Sequence, residues 1–226
     1  MNGVNPQFQT ASDVAYNIIA HKIISGEYPA GMKLSRRKMA EATGVSVIPV
    51  IEALKKLEEN YLVESKPQWG SFVTIPTKEK IIQTYEVREA LECQVAYLLA
   101  GKMTVKQQAE ISELALDLDT VPYLESNKEE AWQHHWKFHT YLAAYTGNDM
   151  LQAALKRTNL FWILCNALKV VAPQKKYPRY WHRKLVDTIM EGDKLKAEQA
   201  MREHVRESLP PILAAIENKE LVDNRL

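Results

Sequence analysis

Two cysteines, Cys93 and Cys165, are all that the 226 residues contain, 72 positions apart and with no CxxC between them. That excludes a disulfide framework and suits a reducing cytoplasm. Glycine is scarce, with 8 residues, and no repeat or low-complexity tract occurs, which excludes a repeat array. Long hydrophobic runs are missing too. The most apolar stretch, Phe161 to Ala172, is twelve residues long and carries Asn166 and Lys169, too short and too polar to cross a bilayer. The polar start, Met1 to Thr10, lacks the apolar core of a signal peptide and reads as a flexible tail. No charge sign dominates: 29 Lys and Arg face 28 Asp and Glu, for a net charge of +1. A globally basic nucleic-acid coat and an acidic tail are thereby excluded, so any charge-driven binding must be local. What is present, 46% hydrophobic and 25% charged residues, is ordinary for a folded chain. At roughly 150 residues per domain the length allows one or two domains.

The chain changes character near Pro76. Before it stand three short helical patterns and a β-rich stretch; after it, nearly everything reads as helix. Ile75-Pro76-Thr77-Lys78 joins the halves, a proline stopping an extended segment and a threonine placed to cap a helix. The expected organisation is a tail over 1–10, a first domain over 11–76 and a second over 77–226.

In the first half, Asp13 to Ser25 is amphipathic, with Val14, Ile18, Ile19, Ile23 and Ile24 on one side and Gly26 after it. Ser35 can cap a second helix, Arg36 to Thr43, which Gly44 ends. Ser46 stands at the cap of a third, with Pro49 tolerated in its first turn. There Val50, Ala53, Leu54 and Leu57 follow the i, i+3, i+4, i+7 spacing of an inward face. Tyr61 to Glu64 and Ser71 to Ile75, across a Pro67-to-Gly70 turn, form a hairpin. Helix, helix, tight glycine turn, helix, hairpin is the order of a winged helix-turn-helix.

Residues 22–75 resemble the N-terminal domain of GntR-family transcriptional regulators. The resemblance is carried by the entry Lys22 to Ser35, by Met39-Ala40-Glu41, Gly44-Val45-Ser46, Pro49-Val50, Glu52-Ala53-Leu54, Leu57-Glu58 and Leu62-Val63, and by the wing Pro67 to Val73. It implies a homodimer on a pseudo-palindromic double-stranded operator, one recognition helix per half-site. One departure stands out. The family usually reads S-R-T-P-V-R-E-A-L, and here Val47, Ile48 and Ile51 replace its polar outer face. Arginine grips guanine O6 and N7 for roughly 1–3 kcal/mol of discrimination; these side chains can instead touch a thymine methyl or pack on another protein. Ser46 and the wing residues Gln68, Trp69 and Gly70 complete the candidate DNA surface, with Gln68 where glycine is common. Lys33, Arg36, Arg37 and Lys38 cluster beside the path of DNA phosphates, or form a solvated basic face.

The second half reads as six helices in an antiparallel bundle, which makes the fold mainly α. They span Lys78 to Ala100, Val105 to Leu118, a helix capped by Asn127 and running to Thr146, one from there to about Val171, Arg179 to Glu191, and one from the Asp193 cap to about Glu217. Five of six histidines lie here. At roughly 100° per residue, His135 and His139 fall about 40° apart on one face, while His134 points about 140° away. His182 and His204 sit on the fifth and sixth helices. Two ligands from one helix and one from each of two others can close on one ion.

This half, over residues 77–215, resembles the FCD ligand-binding domain of FadR-type GntR proteins. The matching residues are Phe138-His139, Thr146-Gly147-Asn148, Trp181-His182, Ile189 to Asp193, Ala197, Ala200-Met201 and His204. The resemblance implies a divalent metal held by D-x-x-x-H plus two later histidines. His139, His182 and His204 occupy the histidine positions and His135 stands where the aspartate is expected. A nitrogen-rich set favours Zn²⁺ or Ni²⁺ over Mg²⁺ or Mn²⁺. Arg88 and Glu92, one turn apart, match that domain's R-x-x-L-E start. Arg88, on the side of Leu91 and Val95, could clamp the carboxylate of a small organic effector, or the two could be an i,i+4 surface pair of roughly 0.3–0.5 kcal/mol.

Three readings follow from these residues. One is a cytoplasmic regulator, of repressor type, in which metal and carboxylate modulate operator binding. Another is a metalloenzyme whose histidines activate water. The third is a regulator that has lost specific DNA reading and works through protein contacts at Val47, Ile48 and Ile51.

Overall fold

A computed structural model describes residues 9–120, 128–167, 180–214 and 217. The tail over 1–8, the Pro122 loop with the Asn127 cap, and the Pro173 break lie outside the described residues. Two compact units meet at the Ile75–Pro76 bond.

The first unit holds α1 (Ala11–Ile24), β1 (Lys33–Leu34), α2 (Arg36–Thr43), α3 (Val47–Glu59), β2 (Val63–Lys66) and β3 (Gly70–Val73). Thr10 and Asp13 form a capping box at the start of α1. The stripe that α1 buries is Ala15, Ile19, Ala20 and Ile23. It is rotated from the expected one, leaving Val14 and Ile18 half-buried. Alanines at 15 and 20 let α1 approach α3 closely, where Val50, Ala53, Leu54 and Leu57 face inward as their spacing requires. Gly44 ends α2 in the left-handed region, φ 70°. Ser35 and Ser46 hold N-cap backbone geometry, but neither hydroxyl bonds its helix, so the expected side-chain caps are not made. The hairpin is one part of a three-stranded antiparallel sheet in the order β1-β3-β2, in which Lys33 faces Phe72 and Ser65 faces Ser71. Only two residues long, β1 carries no periodic signal and was not foreseeable from sequence.

The second unit contains α4 (Lys78–Leu99), α5 (Val105–Thr120), α6 (Lys128–Tyr145), α7 (Asp149–Ala167), α8 (Trp181–Met190) and α9 (Lys194–Glu207), with further helical turns over 209–214. Thr77 caps α4 by accepting from the Lys80 N–H, and Asp193 caps α9. α4 lies along α9 and α7, α5 packs on α8 and α6, and α8 on α9. The buried face of α4 includes Ile81, Tyr85, Val95, Ala96 and Leu99, yet its middle is Arg88 and Glu92. Val87 is exposed and Leu91 only half-buried, so the inward face of α4 turns on this polar pair. The ends of α4 and α8 touch: the Gly101 N–H donates to the Ile189 carbonyl at 3.1 Å, and a Cβ on Gly101 would stand 3.1 Å from the Gly192 Cα. Both glycines have positive φ.

Glu89 fastens α4 to α9, accepting from Arg202 at 2.7 Å and from Arg206 at 2.6 and 2.8 Å. The Arg206 hydrogen bond, then that of Arg202, holds its carboxyl below the usual 4.5 although partial burial opposes this. The link therefore stabilises the fold above about pH 4.5 and is lost as pH falls through the lowered value. Glu89→Gln should cost about 1 kcal/mol at pH 7, since the pair is part-exposed. Urea titrations of the two proteins over a falling pH series check this: their midpoints should differ at pH 7 and draw together as the pH is lowered below about 4.5.

Candidate functional site

The first unit presents the candidate nucleic-acid surface. Lys33, Arg36, Arg37 and Lys38 are all exposed along β1 and the first turn of α2. Arg37 makes an exposed contact with Glu41 at 3.3 Å, and the Lys33 and Lys66 ammonium groups lie over the Phe72 ring at 5.9 and 5.2 Å. After Gly44-Val45-Ser46, α3 turns Val47, Ile48 and Ile51 outward, with Ile48 71% exposed. Ser46 is exposed, its hydroxyl not held by the helix. At the wing tip Gln68 has φ 64°, Gly70 φ 98°, and Trp69 is 70% exposed. Each sequence-derived candidate on this unit thus reaches the surface.

The second unit buries the histidines. His135, His139 and His204 each offer a ring nitrogen, and these nitrogens all lie within 4.8 Å of one another. The i,i+4 spacing on α6 brings His135 Nε2 and His139 Nε2 to 3.3 Å, about the edge of a tetrahedron with bonds of roughly 2.0–2.1 Å. His204 enters from α9, and neither of its ring nitrogens has a hydrogen-bond partner among the described residues. Its ring stacks on Trp181 at 3.9 Å. His182, from α8, lies outside the converging three, with its ring centre 5.2 Å from that of His135 and 5.1 Å from that of His204. Phe138, fully buried, packs edge-on to His139 and His182, both at 5.3 Å. His134 is half-buried and outside the group.

Two carboxylates stand behind these rings. Asp119, at the end of α5, accepts from His182 Nδ1 at 2.8 Å and from the backbone N–H groups of His182 and Arg183 at 3.1 and 3.0 Å. It caps α8 from another helix, because Tyr180, at the N-cap with φ 60°, makes no side-chain cap. Burial would raise its carboxyl, but those hydrogen bonds hold it below the usual value. With Nδ1 committed as donor, His182 Nε2 is an acceptor, and it is buried without a hydrogen-bond partner among the described residues. Glu92 Oε2 lies 2.5 Å from His139 Nδ1, and Glu92 Oε1 accepts from Arg88 Nε at 2.9 Å and Nη2 at 2.8 Å. Burial pushes the Glu92 carboxyl up, but the Arg88 charge and then His139 bring it well below the usual carboxylate range. Arg88 and Glu92 are 1% exposed, so the surface-pair alternative for them is wrong. The apolar α4 face that carries them draws both inside.

Burial also favours the neutral form of three of the rings, those of His135, His182 and His204. His135 and His204 titrate well below 6.5, first through burial and then through the neighbouring histidines and Arg88. Burial lowers His182 as well, with Asp119 opposing. Buried imidazoles converging on one point, two of the four rings in the group backed by carboxylates, fit a divalent transition metal in their donor chemistry. Asp119 and Trp181 escaped sequence reasoning. Asp119 lies 63 residues from its partner with no local signal, and Trp181 was legible only as the neighbour of His182.

A winged helix-turn-helix followed by a helical domain with a histidine centre defines a DNA-binding transcriptional regulator. Residues 11–73 match the bacterial regulatory proteins of the gntR family, and residues 83–207 match the FCD domain. The chain belongs to the GntR family, in its FadR-like subfamily with an FCD domain. It is 25% identical over 211 residues to the HTH-type transcriptional repressor RspR of Escherichia coli K12, covering 90% of this chain and 89% of that one. It is 27% identical over 210 residues to the regulator LutR of Bacillus subtilis 168, covering 81% and 92%. Among solved structures, E. coli McbR/YncC shares the fold with a TM-score of 0.73 at 17% identity, covering 90% of this chain and 97% of its own. These relatives are regulators, not enzymes, which sets aside the metalloenzyme reading. No helix among the described residues is long and apolar enough to cross a membrane.

Asp119 orients a ring rather than reaching the centre itself, so its replacement is informative. Asp119→Asn should retain the fold yet weaken metal affinity about 10–100-fold, as loss of such outer partners does. Competition with a chromogenic zinc chelator measures this, and an unchanged affinity would remove His182 from the centre.

Proposed function

We propose that the protein is a cytoplasmic repressor that binds a pseudo-palindromic operator as a homodimer. In this reading the domain over 11–76 binds DNA and the domain over 77–226 binds effector and forms the dimer. Lys33, Arg36, Arg37 and Lys38, with the Ser46 hydroxyl, hold phosphates, while α3 and the wing residues Gln68, Trp69 and Gly70 enter the grooves. The observation that carries the rest is the buried histidine cluster, in which both ring nitrogens of His204 are without a hydrogen-bond partner among the described residues. His135, His139 and His204 hold zinc or nickel, and His182 supplies the fourth nitrogen through the Nε2 that Asp119 leaves available. The ion contributes positive charge at the ring nitrogens, which attracts a small organic carboxylate. Arg88, already bonded to Glu92, completes the anion site from the α4 side. That RspR of Escherichia coli is a repressor supports the direction of control.

Elemental analysis of protein purified without chelator should find about one zinc or nickel per chain. His139→Ala should abolish it and His134→Ala should leave it unchanged; equal loss in both would reject the assignment of faces. A panel of small carboxylates screened by thermal melting should contain one that stabilises wild type but neither Arg88→Ala nor the metal-free protein. That compound should also shift operator affinity. Equal stabilisation of all three proteins would remove both Arg88 and the metal from the effector site.

A further inference from the structure

We infer that the recognition helix reads its operator through thymine methyl groups, so that the half-sites are rich in A·T pairs where α3 enters the major groove. The inference rests on the DNA-binding reading above and adds the chemistry of the bases read. Val47, Ile48 and Ile51 are 42%, 71% and 40% exposed at the first turns of α3, while Val50, Ala53 and Leu54 of the same helix are buried. The outer face of the helix start is therefore aliphatic, and its one hydroxyl is Ser46, at the cap. The major-groove edge of a G·C pair offers acceptors and a donor only, whereas thymine adds a C5-methyl, the single apolar group on any base edge there. An aliphatic face set against guanine O6 and N7 would strip those acceptors of water and return no hydrogen bond. Against thymine it buries methyl on methyl.

The surroundings favour a polyanion as the occupant rather than a protein. Lys33, Arg36, Arg37, Lys38, Lys55 and Lys66 are exposed on the same unit. The first turn of α3 contains no acidic residue, which leaves the positive end of its dipole unopposed. Glu41 is paired with Arg37, and Glu52 is exposed one residue beyond Ile51. An apolar patch on a unit with those six exposed cations fits a groove walled by phosphates.

The test is thymine-to-uracil replacement, which removes the methyl and leaves base pairing intact. Full-length protein selects a site from random duplexes, and each thymine of that site is then replaced singly by deoxyuridine. At contacted positions affinity should fall about fourfold, the equivalent of one buried methyl. Ile48→Ala and Ile51→Ala should each lose sensitivity at its own thymine while keeping it at the others. A selected motif that is G·C-rich under α3, or one bound equally well with uracil throughout, overturns methyl reading and leaves DNA binding standing. Binding without any sequence selection overturns it as well. Failure to bind duplex DNA at all would take the proposed function down with it, and would turn the apolar face of α3 toward a protein partner.

Discussion

A carboxylate with 1% exposure in the middle of α4 constrains the helical domain more than any other group. Removing an ionised Glu92 from water costs several kcal/mol unless its partners are close and well placed. Arg88 supplies one, a turn earlier on the same helix, and His139 the other, from α6. Removing Arg88 would leave the Glu92 charge buried without a cation beside it. α9 must in turn lie along α4 to enclose the pair, and Glu89 fastens it there through two arginines on the rim. The chain Arg88–Glu92–His139 therefore fixes which way the His139 ring faces. With Nδ1 directed at Glu92, Nε2 is left toward His135.

The same arrangement recurs on the other side of the cluster, where Asp119 takes Nδ1 of His182 and leaves Nε2 inward. Two rings held from behind by carboxylates from different helices are preorganised, and such partners make the imidazole a better donor. The His204 ring is held by stacking against Trp181. Among the described residues, negative charge thus sits behind the rings rather than among their nitrogens. A divalent ion held there would be selected by the softness of its nitrogen donors, with the carboxylates behind them supplying the electrostatics.

How much of this was legible in the sequence depended on the range over which each signal acts. α2 could be placed to the residue, because a capping position and a left-handed glycine bracket it within nine positions. The shared face of His135 and His139 follows from helical spacing alone. β1 could not be seen, since two residues cannot display a period and only β3, far along the chain, defines them as a strand. The inward face of α1 was misjudged toward its larger residues, because Val14 and Ile18 outweigh alanine in any sum, although alanine permits the closer packing. Contacts such as Asp119 with His182 and Glu92 with His139 join side chains 63 and 47 positions apart, and no local pattern encodes them.

The order of elements along the chain bears on control. β3 ends at Val73, the units divide at Ile75–Pro76, and Thr77 caps the helix that carries Arg88 and Glu92. The wing strand and the floor of the histidine centre are thus consecutive elements joined by four residues, two of them a proline and a helix cap. A ligand shifts DNA affinity only as far as it binds the DNA-competent and incompetent states differently. For a coupling of about 1–3 kcal/mol, the typical range, that difference is roughly 5–150-fold. By reciprocity the operator must change the effector's affinity by the same factor. α4 carries the buried Arg88–Glu92 pair that meets the His139 ring, and it is also the helix joined to the wing strand by those four residues.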